Sequence, residues 1–95
     1  MENSVLFNSV TVEEGADIQY SILMPGAVVK KGAVVSYAIV AEGAVIEAEA
    51  TVGAPPSEDP DWGIAVVAGG VHVGEKAVVK PSAMVRKNVK GGEQV

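Results

Sequence analysis

The chain has no cysteine, a single histidine (His72), four aromatic residues and no long apolar run. Without cysteine there is no disulfide framework and no thiolate chemistry, a composition that fits a cytoplasmic protein. No segment approaches the roughly 20 apolar residues of a membrane helix, and residues 1–3 do not begin a secretory signal. One histidine is too few for the multi-histidine zinc sites of some β-helical enzymes. We therefore expect a cytoplasmic protein with no metal, no cofactor and no membrane partner.

Basic residues are also scarce. Seven lysines and arginines oppose twelve acidic residues, for a formal net charge of −5. A nucleic-acid partner would require a basic surface, so that class is excluded. Four of the basic residues lie towards the C-terminus: Lys80, Arg86, Lys87 and Lys90. They are interpreted as a solvated basic end, with contact to an anion or a partner as the alternative.

A repeat of 17 residues organises most of the sequence. Residues 4–20, 21–37 and 38–54 align without a gap, ten residues intervene, and the same pattern resumes at 65–81. Within each unit, apolar residues come in pairs two positions apart, which is the spacing of side chains on one face of a β-strand. A fixed period of this kind predicts a repeat architecture, here one domain over residues 1–95.

Aligned units place like residues above one another. The larger ladders are Leu6/Leu23/Val40/Val67, Val12/Val29/Ile46/Val73 and Ile18/Val35/Val52/Val79, and the smaller ones are Ser4/Ser21/Ala38/Ala65, Val10/Ala27/Ala44/Val71 and Ala16/Ala33/Ala50/Ala77. None of these positions is charged. Three strands per turn, each with one large and one small inward residue, predict an all-β parallel β-helix of four to five triangular coils. Glycines fall at the bends, where a positive φ is expected: Gly15, Gly26, Gly32, Gly43 and Gly70.

Residues 55–64 interrupt the repeat with three prolines, several acids and the only tryptophan, Trp62. This composition predicts a loop inserted at one corner, with Trp62 folded back onto the prism. Glu58, Asp59 and Asp61 lack the spacing of a cation site, so they are interpreted as solvated. Residues 82–85 fit both a 17-residue and a six-residue continuation, which leaves the end of the prism open.

An outward apolar ladder gives the strongest functional signal. Val5, Ile22, Ile39 and Val66 each lie between the two inward residues of a strand, and Phe7 and Met24 lie two positions further on. Outward strand positions are normally polar, and a contiguous apolar stripe usually marks an interface. We predict a subunit or domain contact here, with cover by an upstream domain, the 55–64 loop or a terminal segment as the alternative. The second outward ladder, Asp17/Val34/Thr51/Val78, is mixed and less persuasive.

The hexapeptides Val-Val-Lys-Lys-Gly-Ala (28–33), Val-Ala-Glu-Gly-Ala-Val (40–45) and Val-His-Val-Gly-Glu-Lys (71–76) resemble those of left-handed β-helix proteins. More narrowly, segments 3–10, 21–29 and 62–67 resemble the C-terminal domain of bacterial glucose-1-phosphate adenylyltransferase, most closely its regulatory, GlgD-type subunit. The left-handed coil is implied by this resemblance, because the usual rule for parallel crossovers predicts the opposite hand.

That resemblance implies a non-catalytic oligomerisation and regulatory domain. In the family, an upstream nucleotidyltransferase domain joins ATP to glucose 1-phosphate for glycogen biosynthesis; this sequence has no glycine-rich phosphate loop, so no catalytic residue is carried over. The expected partners are subunits of the same enzyme and the catalytic domain, and the chain alone is expected to be inactive. The rival hypothesis is a hexapeptide-repeat acyltransferase, in which a trimer places His72 beside acyl-CoA. Under the first hypothesis His72 is an exposed residue with no catalytic role.

Overall fold

The computed structural model describes residues 4–56, 58, 60 and 62–95. Across these residues the chain forms short β-strands and no helix, and so has no helix that could cross a bilayer. The strands are β1 (Val5–Leu6), β2 (Thr11–Val12), β3 (Asp17–Gln19), β4 (Ile22–Leu23), β5 (Val28–Val29), β6 (Val34–Ser36), β7 (Ala38–Val40), β8 (Val45–Ile46), β9 (Thr51–Val52), β10 (Ala65–Val67), β11 (His72–Val73), β12 (Val78–Val79) and β13 (Met84–Val85).

Every third strand pairs in parallel to form one wall of a triangular prism. The first wall has the order β1-β4-β7-β10-β13, the second β2-β5-β8-β11 and the third β3-β6-β9-β12. Residues 17 apart pair directly, as in Val12↔Val29 and Val29↔Ile46. The predicted fold is therefore confirmed: the chain is a left-handed parallel β-helix of hexapeptide repeats.

Two-residue turns make most of the corners. The second residue of each has a positive φ, and the following amide donates to the carbonyl three residues earlier, as Ala33 N–H does to Lys30 O at 3.2 Å. This is the pattern of a type II turn. All five predicted corner glycines have positive φ, and so do non-glycine residues that the sequence did not indicate: Ser9, Tyr20, Tyr37, Glu49, Lys76 and Ser82.

The predicted inward ladders form the core. Each of their positions in the second, third and fourth coils is buried, including the alanines and Ser21. Ser21 is accommodated because its Oγ donates to Gln19 O (2.9 Å) and accepts from the Ala38 N–H (3.2 Å). A polar atom in an apolar interior needs such partners.

The first coil departs from the predicted core. Leu6 and Val12 are 37% and 38% exposed, and in this coil only Ile18 of the larger inward residues is buried. The predicted inward direction is correct, but within the described residues the first coil has a neighbour on one side only, so its inward side chains are partly exposed.

The last coil resolves the ambiguity at 82–85. Val67 pairs with Val85, 18 residues later, and Val66 pairs with Met84. Val85 is buried while Met84 is 57% exposed. The six-residue continuation from Val79 therefore holds, and the fourth coil is one residue longer than those before it.

The inserted segment leaves the prism after β9 and returns at β10. Gly53, at its start, has a φ of +75°, and a Cβ there would overlap the carbonyl oxygen of Ser36. Trp62 folds back as predicted: its Nε1 donates to Ala54 O at 3.0 Å and its ring packs edge-on against Tyr37, which packs against Tyr20. Glu58 is exposed, and Asp59 and Asp61 lie outside the described residues.

Candidate functional site

The first wall brings the predicted apolar ladder together. Val5 pairs with Ile22, Ile22 with Ile39, and Ile39 with Val66. Met84 extends the ladder by one rung, which the sequence missed because the last coil is out of the 17-residue register. Val5, Ile22 and Met84 are exposed, while Ile39 and Val66 are half-buried. One wall thus presents five apolar rungs in contiguous register.

Phe7 and Met24 lie on the same side of the prism, directly after β1 and β4, and both are exposed. The Phe7 N–H donates to Leu23 O and the Met24 N–H to Val40 O, so these residues continue the ladder hydrogen bonding beyond the strands. Ala41 and Ala68 occupy the equivalent positions in the next coils. The apolar surface is therefore two positions wide in the first four coils, whereas Arg86 occupies the second position in the fifth, and we call this surface the apolar wall.

The second wall carries charged side chains, and the third is mixed. The second wall places His72 beside Val45 in register, and the third aligns Asp17, Val34, Thr51 and Val78 as the sequence indicated. Charged side chains, such as Lys30 and Glu47, follow the strands of the second wall. The first wall is therefore more apolar than the others, although all three are built from strands of the same kind. Strand propensity alone does not account for this difference.

His72 points outward from the second wall, as predicted, with 55% of its side chain exposed. Its Nδ1 lies 3.7 Å from Glu47 Oε2, and the other carboxylate oxygen, Oε1, lies 3.5 Å from Lys30 Nζ. The first separation is too long for a hydrogen bond but close enough for an electrostatic contact. Three side chains from successive coils therefore form one row of ionisable groups, in the order Lys30, Glu47, His72.

This row has the parts of a general base. A carboxylate facing Nδ1 favours the tautomer that carries its proton on that nitrogen, which leaves Nε2 free to accept a proton. Sequence reasoning found His72 but missed Glu47, which lies two residues beyond the Val45 partner of His72. The repeat register contained that signal, because residues diagonal to one another on one wall are within reach of long side chains.

The described residues contain no group of three or more His, Cys, Asp or Glu side chains that could hold a metal ion.

Residues 1–74 match the family model described as GlmU-like, C-terminal hexapeptide. The chain belongs to this hexapeptide-repeat family. No curated protein sequence matches it. The resemblance to hexapeptide-repeat proteins is thereby confirmed, whereas the narrower assignment to glucose-1-phosphate adenylyltransferase is not shown.

Two solved structures align with nearly the whole chain. One is the acetyltransferase domain of PglB from Neisseria gonorrhoeae FA1090, with a TM-score of 0.58 and 21% identity, covering 96% of this chain and 45% of that one. The other is a mutant of GDP-perosamine N-acetyl transferase from Caulobacter crescentus in complex with CoA and GDP-perosamine, with 19% identity, a TM-score of 0.38 and coverage of 97% and 49%.

At such identities the first likeness shows the fold alone, and the low score of the second supports no conclusion. The chain spans about half the length of each solved structure. What this fold does here has to be argued from the side chains on its walls.

Proposed function

We propose that this chain is an acyl-transfer domain of the hexapeptide-repeat class, in which His72 is the general base and a thioester such as acyl-CoA is the donor. The observation that carries the proposal is the facing pair His72 and Glu47, at 3.7 Å on an exposed wall. Membership of a GlmU-like hexapeptide family and a fold shared with an acetyltransferase domain agree with it.

The proposed reaction is a simple acyl transfer. His72 Nε2 takes the proton from an acceptor amine or hydroxyl while the acceptor attacks the thioester carbonyl. A bond from the acceptor to the carbonyl carbon forms, the carbon–sulfur bond breaks, and the imidazolium returns its proton to the leaving thiolate. The Glu47 carboxylate stabilises the transient imidazolium, and Lys30 holds that carboxylate from the other side.

Assembly is part of this proposal. His72 is too exposed on the single chain to exclude water, so a neighbouring copy would have to supply the opposite side of the acyl-donor groove. The apolar wall supplies the means, because Ile22 and Ile39 present aliphatic side chains to solvent in contiguous register. We propose that it packs against a second copy of the chain, in a trimer that places His72 beside the donor.

The test is release of free thiol from acetyl-CoA in the presence of amine and hydroxyl acceptors. We expect His72→Gln to lower the rate by a factor of about 10²–10⁴, the usual contribution of a general base. Glu47→Gln should lower kcat more than it raises KM. Lys76→Gln, which removes an exposed charge that pairs with Glu49 elsewhere, is the matched control and should keep the rate. Full activity in His72→Gln would overturn the proposal, as would the absence of transfer to every acceptor.

The second candidate is the non-catalytic, cytoplasmic oligomerisation and regulatory domain of a glucose-1-phosphate adenylyltransferase subunit. The observation that favours it is the length of the apolar wall, which runs through all five coils and gives contact area without any need for chemistry at His72. Its partners would be subunits of that enzyme and an upstream nucleotidyltransferase domain. It differs from the first candidate in predicting no thiol release at all.

Light scattering tests the apolar wall under both candidates. Ile22→Arg with Ile39→Arg should reduce the mass to that of the 9.7 kDa monomer and leave the circular dichroism spectrum intact. The control pair, Val34→Arg with Thr51→Arg, makes the same change at outward positions of neighbouring coils on the third wall. An unchanged mass in the Ile22/Ile39 variant would exclude this wall as the interface. Loss of transfer on dissociation would favour the acyltransferase.

A further inference from the structure

Three of the four aromatic side chains meet at one corner of the prism, where the third wall leads into the first. Tyr20 follows β3, Tyr37 follows β6 in the next coil, and Trp62 reaches the same corner from the inserted segment. The ring centroids of Tyr20 and Tyr37 are 4.8 Å apart at an interplanar angle of 76°, and those of Tyr37 and Trp62 are 5.8 Å apart at 86°. We call these three residues the aromatic corner. It lies on the side of the prism rather than at an end.

Packing at nearly right angles leaves ring faces open. In an edge-on pair one ring covers part of a single face of the other, so two such contacts cannot cover the six faces of three rings. Tyr20 is 45% exposed, and Tyr37 and Trp62 are half-buried. Two rings at right angles also bound an angle in which one bound group contacts both. The face of an aromatic ring is the negative part of its quadrupole, and it attracts cations.

The polar side chains beside the aromatic corner also favour a cation. Asp17 and Gln19 are the outward residues of β3, the strand that ends just before Tyr20. In the part of the chain that the structure describes, the Asp17 carboxylate has no basic partner and lies 3.5 Å from the Gln19 amide nitrogen. The whole chain carries a net charge of −5. A carboxylate without a basic partner, next to exposed rings, adds electrostatic attraction for a positive ligand.

The chemistry of the aromatic corner also indicates which kind of cation fits. A primary ammonium group has three N–H donors that need acceptors when water is removed. The corner presents mainly ring faces, with one carboxylate at its edge. A quaternary ammonium group has no N–H to satisfy, and its methyl groups pack on ring faces while its charge stays near them.

We propose that the aromatic corner binds a small quaternary ammonium compound. The charged group lies over the rings of Tyr20 and Tyr37, with the Asp17 carboxylate at the edge, and Trp62 bounds the site beyond Tyr37. This site is on a different part of the surface from His72, and the proposal does not depend on acyl transfer.

Three probes of similar size separate charge, shape and N–H groups. Choline has the quaternary ammonium group, neohexyl alcohol has the same shape with a carbon atom in place of the nitrogen, and ethanolamine has the same charge on a primary ammonium group. Trp62 is the only tryptophan, so its fluorescence follows binding on the unmodified chain, with calorimetry as the second measurement. We expect choline to bind at least fivefold more tightly than either of the other probes. No saturable binding of choline, or equal affinity for neohexyl alcohol or ethanolamine, would overturn the proposal.

Matched variants test where choline binds. Tyr20→Asn removes one ring, and asparagine tolerates the positive φ of this position; it should weaken choline binding about fivefold or more. Tyr20→Phe keeps the ring and should retain most of the affinity. Phe7→Asn removes a similarly exposed ring from the first wall and should leave binding unchanged. Both positions are exposed, so circular dichroism should show an intact fold in all three variants. Equal weakening by Tyr20→Asn and Phe7→Asn would exclude a site at this corner.

Discussion

At the scale of single residues, the position in the stack decides how much an inward side chain stabilises the fold. Leu6 and Leu23 occupy the same place in consecutive coils and pair in register. Leu23 is fully buried, whereas Leu6 is 37% exposed because no coil lies below it among the residues that the structure describes. Two leucines of the same sequence repeat therefore differ in their burial.

This difference predicts unequal losses on truncation. Leu23→Ala leaves a cavity between packed coils and should lower the free energy of unfolding by about 2–5 kcal/mol. Leu6→Ala removes a side chain that is already partly hydrated, so its loss should be clearly smaller. Urea denaturation followed by circular dichroism measures both. Equal losses would mean that the first coil is covered in solution, contrary to the burial described above.

Residue types and spacing alone were enough to predict the inward ladders, because a two-residue period within a 17-residue repeat leaves little freedom in which side chains face inward. They were not enough for the surroundings of His72. Glu47 and Asn88 reach it through side-chain length and through a shortened corner, and neither property follows a period.

At the scale of strands and corners, single elements have no independent stability. Strands of two or three residues hold their shape because those in the middle coils bond to a coil above and a coil below, and those at the ends bond to one neighbour. The last coil shows what selects one strand register over another. A 17-residue continuation would have turned Asn88 and Lys90 inward, whereas the observed register turns Val85, Val89 and Val95 inward. The observed register is favoured because burying polar groups costs free energy. The two registers can be compared only over the complete coil, and residues 82–85 alone do not distinguish them.

The corner formed by Tyr20, Tyr37 and Trp62 predicts how the inserted segment is held. Trp62→Phe keeps an aromatic ring but loses the bond from Nε1 to Ala54 O, and should cost about 1 kcal/mol. Trp62→Ala also loses the contact with Tyr37, at a ring separation of 5.8 Å, and should cost about 2–3 kcal/mol in total. Chemical denaturation gives both values. If the two variants lost equally, the ring contact would be unimportant for stability.

At the scale of the whole molecule, the coils stack along a single axis. Each coil touches only its neighbours, so stability is close to a sum over coils and the interfaces between them. The fold and the membership of the hexapeptide-repeat class follow from this repetition, and both could be inferred from the sequence; the narrower resemblance to glucose-1-phosphate adenylyltransferase is not shown. Function could be inferred only as far as candidate surfaces, because the three walls share one backbone and differ in outward side chains that the fold leaves free to vary.

A stack of this kind should open from its ends. The amides of Val35, Val40 and Val52 lie in coils with a neighbour on each side, and they should exchange with solvent most slowly. Those of Phe7 and Thr11, although bonded to Leu23 O and Ala27 O, belong to a coil with one neighbour and should exchange first. Hydrogen exchange followed by nuclear magnetic resonance measures this gradient on the native chain. Uniform protection from the first coil to the third would instead show that the prism opens only as one cooperative unit.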